Sequence, residues 1–250
     1  MKNNRPFIAT RRLPLRQHIT GRLREALMRR WDIPYSRHGT PPLLLRVLRS
    51  GVPINLIDVG ASDGEFALSL ARQYGLAHAL LVEPQPARAE QLRGIFAETD
   101  VLVAQTALSN QPGALPMDIL HWDYSSSLLP VDRTNSAVAE RIDLSVRQTI
   151  TVPVTTLDDL CAATDFQQAD LLKLDVQGTE LMVLQGSERM LGNTRFVLSE
   201  VSFHPYYIGG AHFEQIRSYL KERGFRLLGL TEGFRDARGE LVEGDALFGR

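Results

Sequence analysis

Short apolar segments alternate with segments of helical periodicity from residue 54 onward, and this alternation constrains the fold most. The predicted strands are INLIDV (54–59), HALLVEP (78–84), VLVAQTAL (101–108), DLLKLDV (170–176) and RFVLSEVS (195–202). The predicted helices are 64–74, 86–97, 157–164, 179–191 and 211–223. Such alternation is typical of an α/β fold, a parallel sheet covered by helices on both faces.

Two further strands are predicted at the end of the chain, FRLLGL (225–230) and DALFGR (245–250). Because no helix separates them, we expect them to pair antiparallel at one edge of the sheet. Residues 109–150 have a mixed pattern, in which ALPMDIL (114–120) and RQTITVPV (147–154) are the predicted strands.

The first 50 residues contain 12 Lys and Arg residues but 2 Asp and Glu residues. Helices are predicted over 15–31 and 42–50, so we interpret 1–50 as a basic helical extension and 51–250 as the main domain. Two interpretations stay open: a solvated helix docked on an acidic body, or attraction to an anionic membrane, nucleic acid or phosphorylated carrier. No specific nucleic-acid partner is predicted.

The composition is that of a globular protein without disulfides. Cys161 is the single cysteine, so no internal disulfide can form. No apolar run approaches the roughly 20 residues that span a bilayer. These features predict a cytoplasmic protein, with a membrane surface as the alternative location.

The stretch NLIDVGASDGEFALSLA (55–71) predicts a ligand site. In open α/β sheets, ligands bind at the carboxyl ends of the strands. Gly60 and Gly64 remove side chains where the backbone must turn near a ligand. The helix that follows presents its amide end to this position.

Glu83 ends the second predicted strand, 23 residues after Gly60. A carboxylate there can accept hydrogen bonds from a ribose diol, so we expect an adenosine compound. A dinucleotide site usually has a third glycine under the pyrophosphate, which is absent, and Asp63 and Glu65 would repel a pyrophosphate. Acids suit a sulfonium and an ammonium group, which favours S-adenosylmethionine. A NAD-dependent oxidoreductase and a non-catalytic nucleotide-binding module stay open as alternatives.

The motifs DVGASDGEFAL, VEP, QTALSN, SSSL, VPVTTLDDL, LLKLDVQGTELMVLQG and SEVSF resemble the FkbM-type family of S-adenosylmethionine-dependent methyltransferases. The resemblance covers about 55–230. It implies a class I, Rossmann-like, seven-stranded, mostly parallel sheet with its last strand antiparallel. It also implies methyl transfer to a hydroxyl of a small molecule, commonly a glycan, glycolipid or secondary metabolite.

The resemblance assigns cofactor-binding roles by position. Asp58, Gly60 and Ser62 would line the methionine end, Glu83 would bind the ribose, and Thr106 and Ala107 with Gln105 would flank the adenine. Ser125, Ser126 and Ser127 match a serine run that is expected to cover the cofactor. The full set of predicted cofactor-binding residues is Asp58, Gly60, Ser62, Asp63, Glu83, Pro84, Thr106, Ala107 and Asp175.

The chemistry requires a group that removes the acceptor proton. Asp175 after the fourth predicted strand, and Glu200 and His204 at the end of the fifth, are the candidate catalytic residues. Whether these three bind a divalent metal is left open, because their spacing matches no metal motif. Glu180, Tyr206 and Tyr207 are the candidate substrate-binding residues.

Overall fold

The computed structural model describes residues 40–49, 51–132 and 143–250. A helix predicted over 15–31 lies outside this part of the chain. Within it, the helices are α1 Pro42–Val47, α2 Glu65–Gln73, α3 Pro86–Ile95, α4 Leu157–Ala163, α5 Glu180–Gln185, α6 Glu188–Gly192 and α7 Phe213–Glu222. The strands are β1 Ile54–Val59, β2 Leu76–Val82, β3 Val101–Ala104, β4 Ala107–Leu108, β5 Gly113–Leu120, β6 Val146–Thr155, β7 Ala169–Leu174, β8 Thr194–Ser202, β9 Arg226–Glu232 and β10 Glu243–Gly249.

Seven strands form the central sheet in the order β3-β2-β1-β7-β8-β10-β9. Strands β3, β2, β1, β7 and β8 pair in parallel, and β10 pairs antiparallel with both β8 and β9. The predicted class I arrangement is therefore confirmed, including the antiparallel last strand. The strand order of the central sheet reverses between β1 and β7, and open α/β sheets bind ligands at such a reversal.

Each face of the sheet carries its own apolar core, as expected for strands buried on both sides. Ile57 and Val59 of β1 lie in one core cluster, and Ile54 and Leu56 lie in the other. The two clusters correspond to the helix layers on the two faces, with α7 on the first and α2 on the second.

The prediction of one strand over 101–108 is wrong. Gln105 and Thr106 separate β3, in the central sheet, from β4, which pairs with β6 in a second sheet of order β4-β6-β5. The chain crosses from one sheet to the other at this break. Strands β5 and β6 confirm the strands predicted over 114–120 and 147–154, but the sequence pattern did not predict their separate sheet.

The helix predicted over 179–191 is divided into α5 and α6. Gly186 ends α5, and a Cβ there would overlap the carbonyl oxygen of Ser109.

Helix α1 confirms part of the helix predicted over 42–50, and its Leu44 is fully buried in the core of the main domain. The boundary predicted at residue 50 stays a prediction. Among the described residues, no helix has both the length and the apolarity needed to cross a bilayer.

Candidate active site

A cavity of about 310 Å³ lies at the carboxyl ends of β1, β2, β7 and β8. Its size falls within the range of sites that hold small molecules. One end is lined by Gly60, Ser62 and Glu83, and another part by Asp175 and Glu200. The fold therefore brings together residues that lie far apart in sequence.

The turn after β1 requires glycine at its first position. Gly60 has a φ of 77°, in the left-handed region, and a Cβ would overlap the carbonyl oxygen of Asp175. The amides of Gly60 and Ala61 both donate to the carbonyl oxygen of Val82, at 3.0 and 3.1 Å. This close packing of β1, β2 and β7 leaves the backbone of the turn at the cavity wall.

Glu83 is 3 % exposed and its carboxylate accepts two backbone hydrogen bonds, from Ser62 at 2.9 Å and from Gln85 at 2.8 Å. Burial raises the pKa of Glu83, although the two amide donors oppose this. A carboxylate oxygen has two lone pairs. Each oxygen therefore keeps one acceptor position, and the residue lines the cavity, where a ligand diol could donate to it.

Two aromatic side chains and one cation lie at the rim beside Glu83. Arg88 donates to the hydroxyl of Ser62 and stacks on the ring of Tyr124, 4.7 Å from its centroid. Tyr124 donates to Asp63 at 3.1 Å, and its ring lies 5.7 Å from that of Trp122. Asp63 therefore orients the rim through Tyr124.

Lys173 lies beneath the cavity and connects its parts. Its ammonium donates to the carbonyl oxygen of Gly60 at 2.8 Å and lies 3.1 Å from Asp58 and 3.4 Å from Asp175. Burial lowers the pKa of Lys173, but the charges of Asp58 and Asp175 outweigh burial, so the pKa lies above its usual value. Lys173 is thus a fixed cation below the turn.

Carboxyl groups cluster at the other end of the cavity. Glu200 of β8 and Glu243 of β10 line it with Asp175 and Tyr206. Burial raises the pKa of Glu200 well above its usual value, and the charges of Asp175 and Glu243 raise it further. A carboxyl group with a raised pKa is a better proton acceptor near neutral pH than an ordinary glutamate.

Comparison with known families matches residues 58–227, more than half of the chain, to the methyltransferase FkbM domain. The chain belongs to the FkbM family of S-adenosylmethionine-dependent methyltransferases. The cofactor of this FkbM protein is therefore S-adenosylmethionine, as the glycine turn and Glu83 predicted.

The chain is also similar to two methyltransferases and shares its fold with one solved structure. The 2-O-methyltransferase NoeI of Sinorhizobium fredii is 28% identical over 163 residues, covering 62% of this chain and 65% of NoeI, just under two thirds. Methyltransferase sdnD of Sordaria araneosa is 28% identical over 193 residues, covering 68% of this chain and 73% of sdnD. The crystal structure of methyltransferase FkbM from Methylobacillus flagellatus KT has a TM-score of 0.53 at 14% identity, covering 82% of this chain and 45% of that one, and shows a shared fold.

The FkbM cavity brings most of the predicted residues together. Those that line it are Gly60, Ser62, Glu83, Pro84, Thr106, Ala107, Asp175, Glu200 and Tyr206. Their individual roles stay predictions. Thr106 uses its hydroxyl to bond the carbonyl oxygens of Ala107 and Pro153, at 3.1 and 3.0 Å, so its side chain supports the wall of the cavity.

Asp58 and Glu180 lie behind the cavity wall. Asp58 is 0 % exposed and pairs with Lys173, so it can influence a ligand only through Lys173 and Gly60. Glu180 accepts from the amides of Val176 at 3.0 Å and Gly178 at 3.1 Å. Burial raises the pKa of Glu180 to about 7. Its position is that of a carboxylate that stabilises a turn, instead of one that contacts a substrate.

His204 and Tyr207 are not among the described residues that line the cavity. His204 is half-exposed, and its Nε2 lies 3.9 Å from Glu240, where solvent reaches both side chains. Tyr207 is buried and packs on Gly178, with its hydroxyl donating to the carbonyl oxygen of Ser125 at 2.6 Å. The structure does not place His204 on the cavity wall with Asp175 and Glu200, and its catalytic role stays a prediction.

The described part of the chain contains no group of three or more His, Cys, Asp or Glu side chains arranged to hold a metal ion. The lining residues that the sequence did not predict include Arg88, Gln177, Trp122 and Glu243. Apart from their residue types, nothing in the sequence indicated that Arg88 and Trp122 would line the cavity. Gln177 lies inside a quoted motif, and Glu243 begins the last strand, where a charge next to an apolar run could have been noted.

Proposed function

We propose that this chain transfers the methyl group of S-adenosylmethionine to a hydroxyl of a glycan, glycolipid or secondary metabolite. The observation that carries the proposal is the presence of Asp175 and Glu200 in the same cavity as Glu83. The similarity to NoeI, a 2-O-methyltransferase, supports a hydroxyl acceptor.

The residues present fit the cofactor. The backbone at Gly60 leaves no room for a Cβ, and Glu83 keeps free acceptor positions toward the cavity. Glu83 would bind the ribose hydroxyls, Pro84 and Ala107 would flank the adenine, and Gly60 and Ser62 would contact the methionine part. When bound, S-adenosylmethionine supplies an electrophilic methyl group on a sulfonium.

Asp175 and Glu200 would orient the acceptor hydroxyl and take its proton. An alcohol is a weak nucleophile until a base removes the proton. A positioned base contributes roughly 10²–10⁴-fold to the rate. Glu200 is suited to this role because its pKa is raised by burial and by neighbouring acids. One carboxylate oxygen of Asp175 lies 3.4 Å from the ammonium of Lys173, which holds it at the cavity.

Calorimetry with S-adenosylhomocysteine tests the cofactor site. In Glu83→Gln, the new amide replaces one acceptor oxygen by a donor that faces the amide of Ser62 or Gln85. Because charge-assisted hydrogen bonds contribute about 1.5–3 kcal/mol, we expect roughly 10- to 100-fold weaker binding. Glu90→Gln, at an exposed salt bridge with Arg93, is the matched control. Equal affinity in wild type and Glu83→Gln would contradict the assignment of the ribose to Glu83.

Methyl release over a panel of sugars and other hydroxyl compounds tests catalysis. Asp175→Asn is expected to reduce kcat at least about tenfold and to leave the affinity for S-adenosylhomocysteine within about twofold. Full activity in this variant would remove Asp175 from proton transfer. A wild-type protein that binds S-adenosylhomocysteine but releases no methyl group onto any compound would favour a non-catalytic binding module.

A further inference from the structure

Gln177 occupies the centre of the acidic end of the cavity, between Asp175 and Glu200. We propose that Gln177 is a positioning residue that holds these two carboxylates in the geometry needed to take a proton from the acceptor hydroxyl. This inference rests on the proposed O-methyl transfer and adds to it a residue whose side chain acts through Asp175 and Glu200.

The side-chain amide of Gln177 is matched to its three partners. Its Nε2 donates to Oδ1 of Asp175 at 3.0 Å and to Oε2 of Glu200 at 2.8 Å. Its Oε1 lies 3.0 Å from the hydroxyl oxygen of Tyr207, whose one hydrogen is shared between Oε1 and the carbonyl oxygen of Ser125. A primary amide has two N–H donors on one nitrogen, whereas an ionised carboxylate of the same shape has none. Only glutamine among residues of this shape can bridge two carboxylates and accept from a hydroxyl.

The backbone around Gln177 is held on both sides. Its φ is 57°, in the left-handed region that costs a non-glycine residue free energy, and such residues occur at functional sites. Its carbonyl oxygen accepts from the hydroxyl of Ser127 at 2.6 Å. Glu180 accepts from the amides on either side, those of Val176 and Gly178. The turn therefore aims the amide of Gln177 at the two carboxylates.

The charged groups near Asp175 and Glu200 explain why a neutral hydrogen-bond donor between the two carboxylates is favourable. The titratable groups that face them are Lys173, Glu180, Tyr206, Tyr207, Glu243 and Asp245. Lys173 lies near one oxygen of Asp175, at 3.4 Å, and Glu200 has acidic neighbours. Like charges that lie close together repel each other. The amide of Gln177 lowers this repulsion and keeps an oxygen of each carboxylate in a fixed direction.

Three variants test this role. Gln177→Met keeps the approximate shape without the amide, and Gln177→Glu keeps the shape but adds a further carboxyl group beside Asp175 and Glu200. Gln167→Glu is the matched control, because the amide of Gln167 donates to a single exposed carboxylate, Asp165, at 2.6 Å. Gln167 lies away from the acidic end of the cavity.

We expect kcat to fall roughly 10²-fold in Gln177→Met, because small displacements of catalytic groups have effects of this size. The affinity for S-adenosylhomocysteine and the Tm should stay close to wild type. The acid limb of the kcat–pH profile should move to higher pH in Gln177→Met and further in Gln177→Glu. An unchanged acid limb in both variants, or a fall in kcat matched by equal losses of cofactor affinity and Tm, would overturn the proposal.

Carboxyl ¹³C NMR of the full chain with S-adenosylhomocysteine separates this inference from the proposed function. The Glu200 signal is assigned with Glu200→Gln, and its titration midpoint is followed in each Gln177 variant. A higher midpoint than in wild type supports the bridge, and an equal midpoint in both variants overturns it. This readout needs no acceptor, so a wild type without methyl transfer would count against the proposed reaction alone.

Discussion

At the scale of single residues, Lys173 connects the two ends of the cavity through its contacts. It binds the glycine turn through the carbonyl oxygen of Gly60 and lies beside both Asp58 and Asp175. Removing one partner of a buried ion pair leaves an uncompensated charge, which typically costs about 3–5 kcal/mol. Asp58 is the group that would be left, because it is fully buried.

Lys173→Met is therefore expected to lower the free energy of unfolding by about 3–5 kcal/mol at neutral pH. Burial raises the pKa of Asp58, and the variant loses the cation that lowers it. A carboxyl group with a raised folded-state pKa stabilises the fold at low pH and loses this contribution as pH rises through that pKa. The loss in free energy of unfolding caused by Lys173→Met should therefore become smaller as the pH is lowered.

Urea denaturation at several pH values would measure this deficit. The double variant Lys173→Met with Asp58→Asn removes both charges and should recover much of the loss at neutral pH. Lys221→Met, at an exposed lysine of α7, is the control. A deficit that is independent of pH would show that the ion pair with Asp58 does not account for the stability of this region.

At the scale of elements, the connection between β1 and α2 depends on a close approach of two backbones. Gly60 lies against the carbonyl group of Asp175 with a φ of 77°. Gly64, whose φ is 82°, is the N-cap residue, and helix α2 begins at Glu65. A side chain at Gly60 would push β1 away from β7 and move the wall of the cofactor site.

Gly60→Ala is expected to lower the free energy of unfolding by at least about 2 kcal/mol, from backbone strain and overlap together. It should also weaken binding of S-adenosylhomocysteine. Gly94→Ala is the matched control, because Gly94 lies in α3 with open space around its Cα and a helical φ. That change should stabilise the protein by up to about 1 kcal/mol. Thermal unfolding and calorimetry distinguish the two; similar stability in both variants would contradict the close approach.

At the scale of the whole molecule, the sheet order assembles the site. Gly60 follows β1, Glu83 follows β2, Asp175 follows β7, and Glu200 and Glu243 lie on β8 and β10. Insertion of β10 between β8 and β9 places Asp245 opposite Glu200 in the register and brings Glu243 to the cavity. This insertion adds Glu243 to the carboxyl groups of Asp175 and Glu200 at the acidic end of the cavity.

The basic segment 1–50 leads to a prediction for the whole chain. Its excess of Lys and Arg should attract the protein to anionic vesicles, and added salt should weaken this binding because it screens charges. Co-sedimentation with phosphatidylserine vesicles measures it. Arg29→Gln with Arg30→Gln should reduce binding more than Arg93→Gln with Arg217→Gln, exposed arginines of the folded domain. Binding that does not respond to salt or to anionic lipid would contradict the idea.

Elements whose pattern is local were predicted correctly. The strands INLIDV and DLLKLDV show continuous apolar runs, because both faces of a parallel strand are buried. The break after β3 was not predicted, because its cause is long-range: β4 pairs with Val154 and Thr155 of β6. No local propensity encodes a partner almost 50 residues away.

For the site, the sequence by itself determined the glycine turn, Glu83 and Asp175, because each is required at a strand end and strand ends are visible in local patterns. Only the tertiary structure decided which groups each of these side chains contacts. It buried Asp58 under Lys173, placed His204 beside Glu240, and set Gln177 between two carboxylates. Residue type limits what a side chain can donate or accept, but which groups it meets depends on strand order and burial, and these arise from packing of the whole chain.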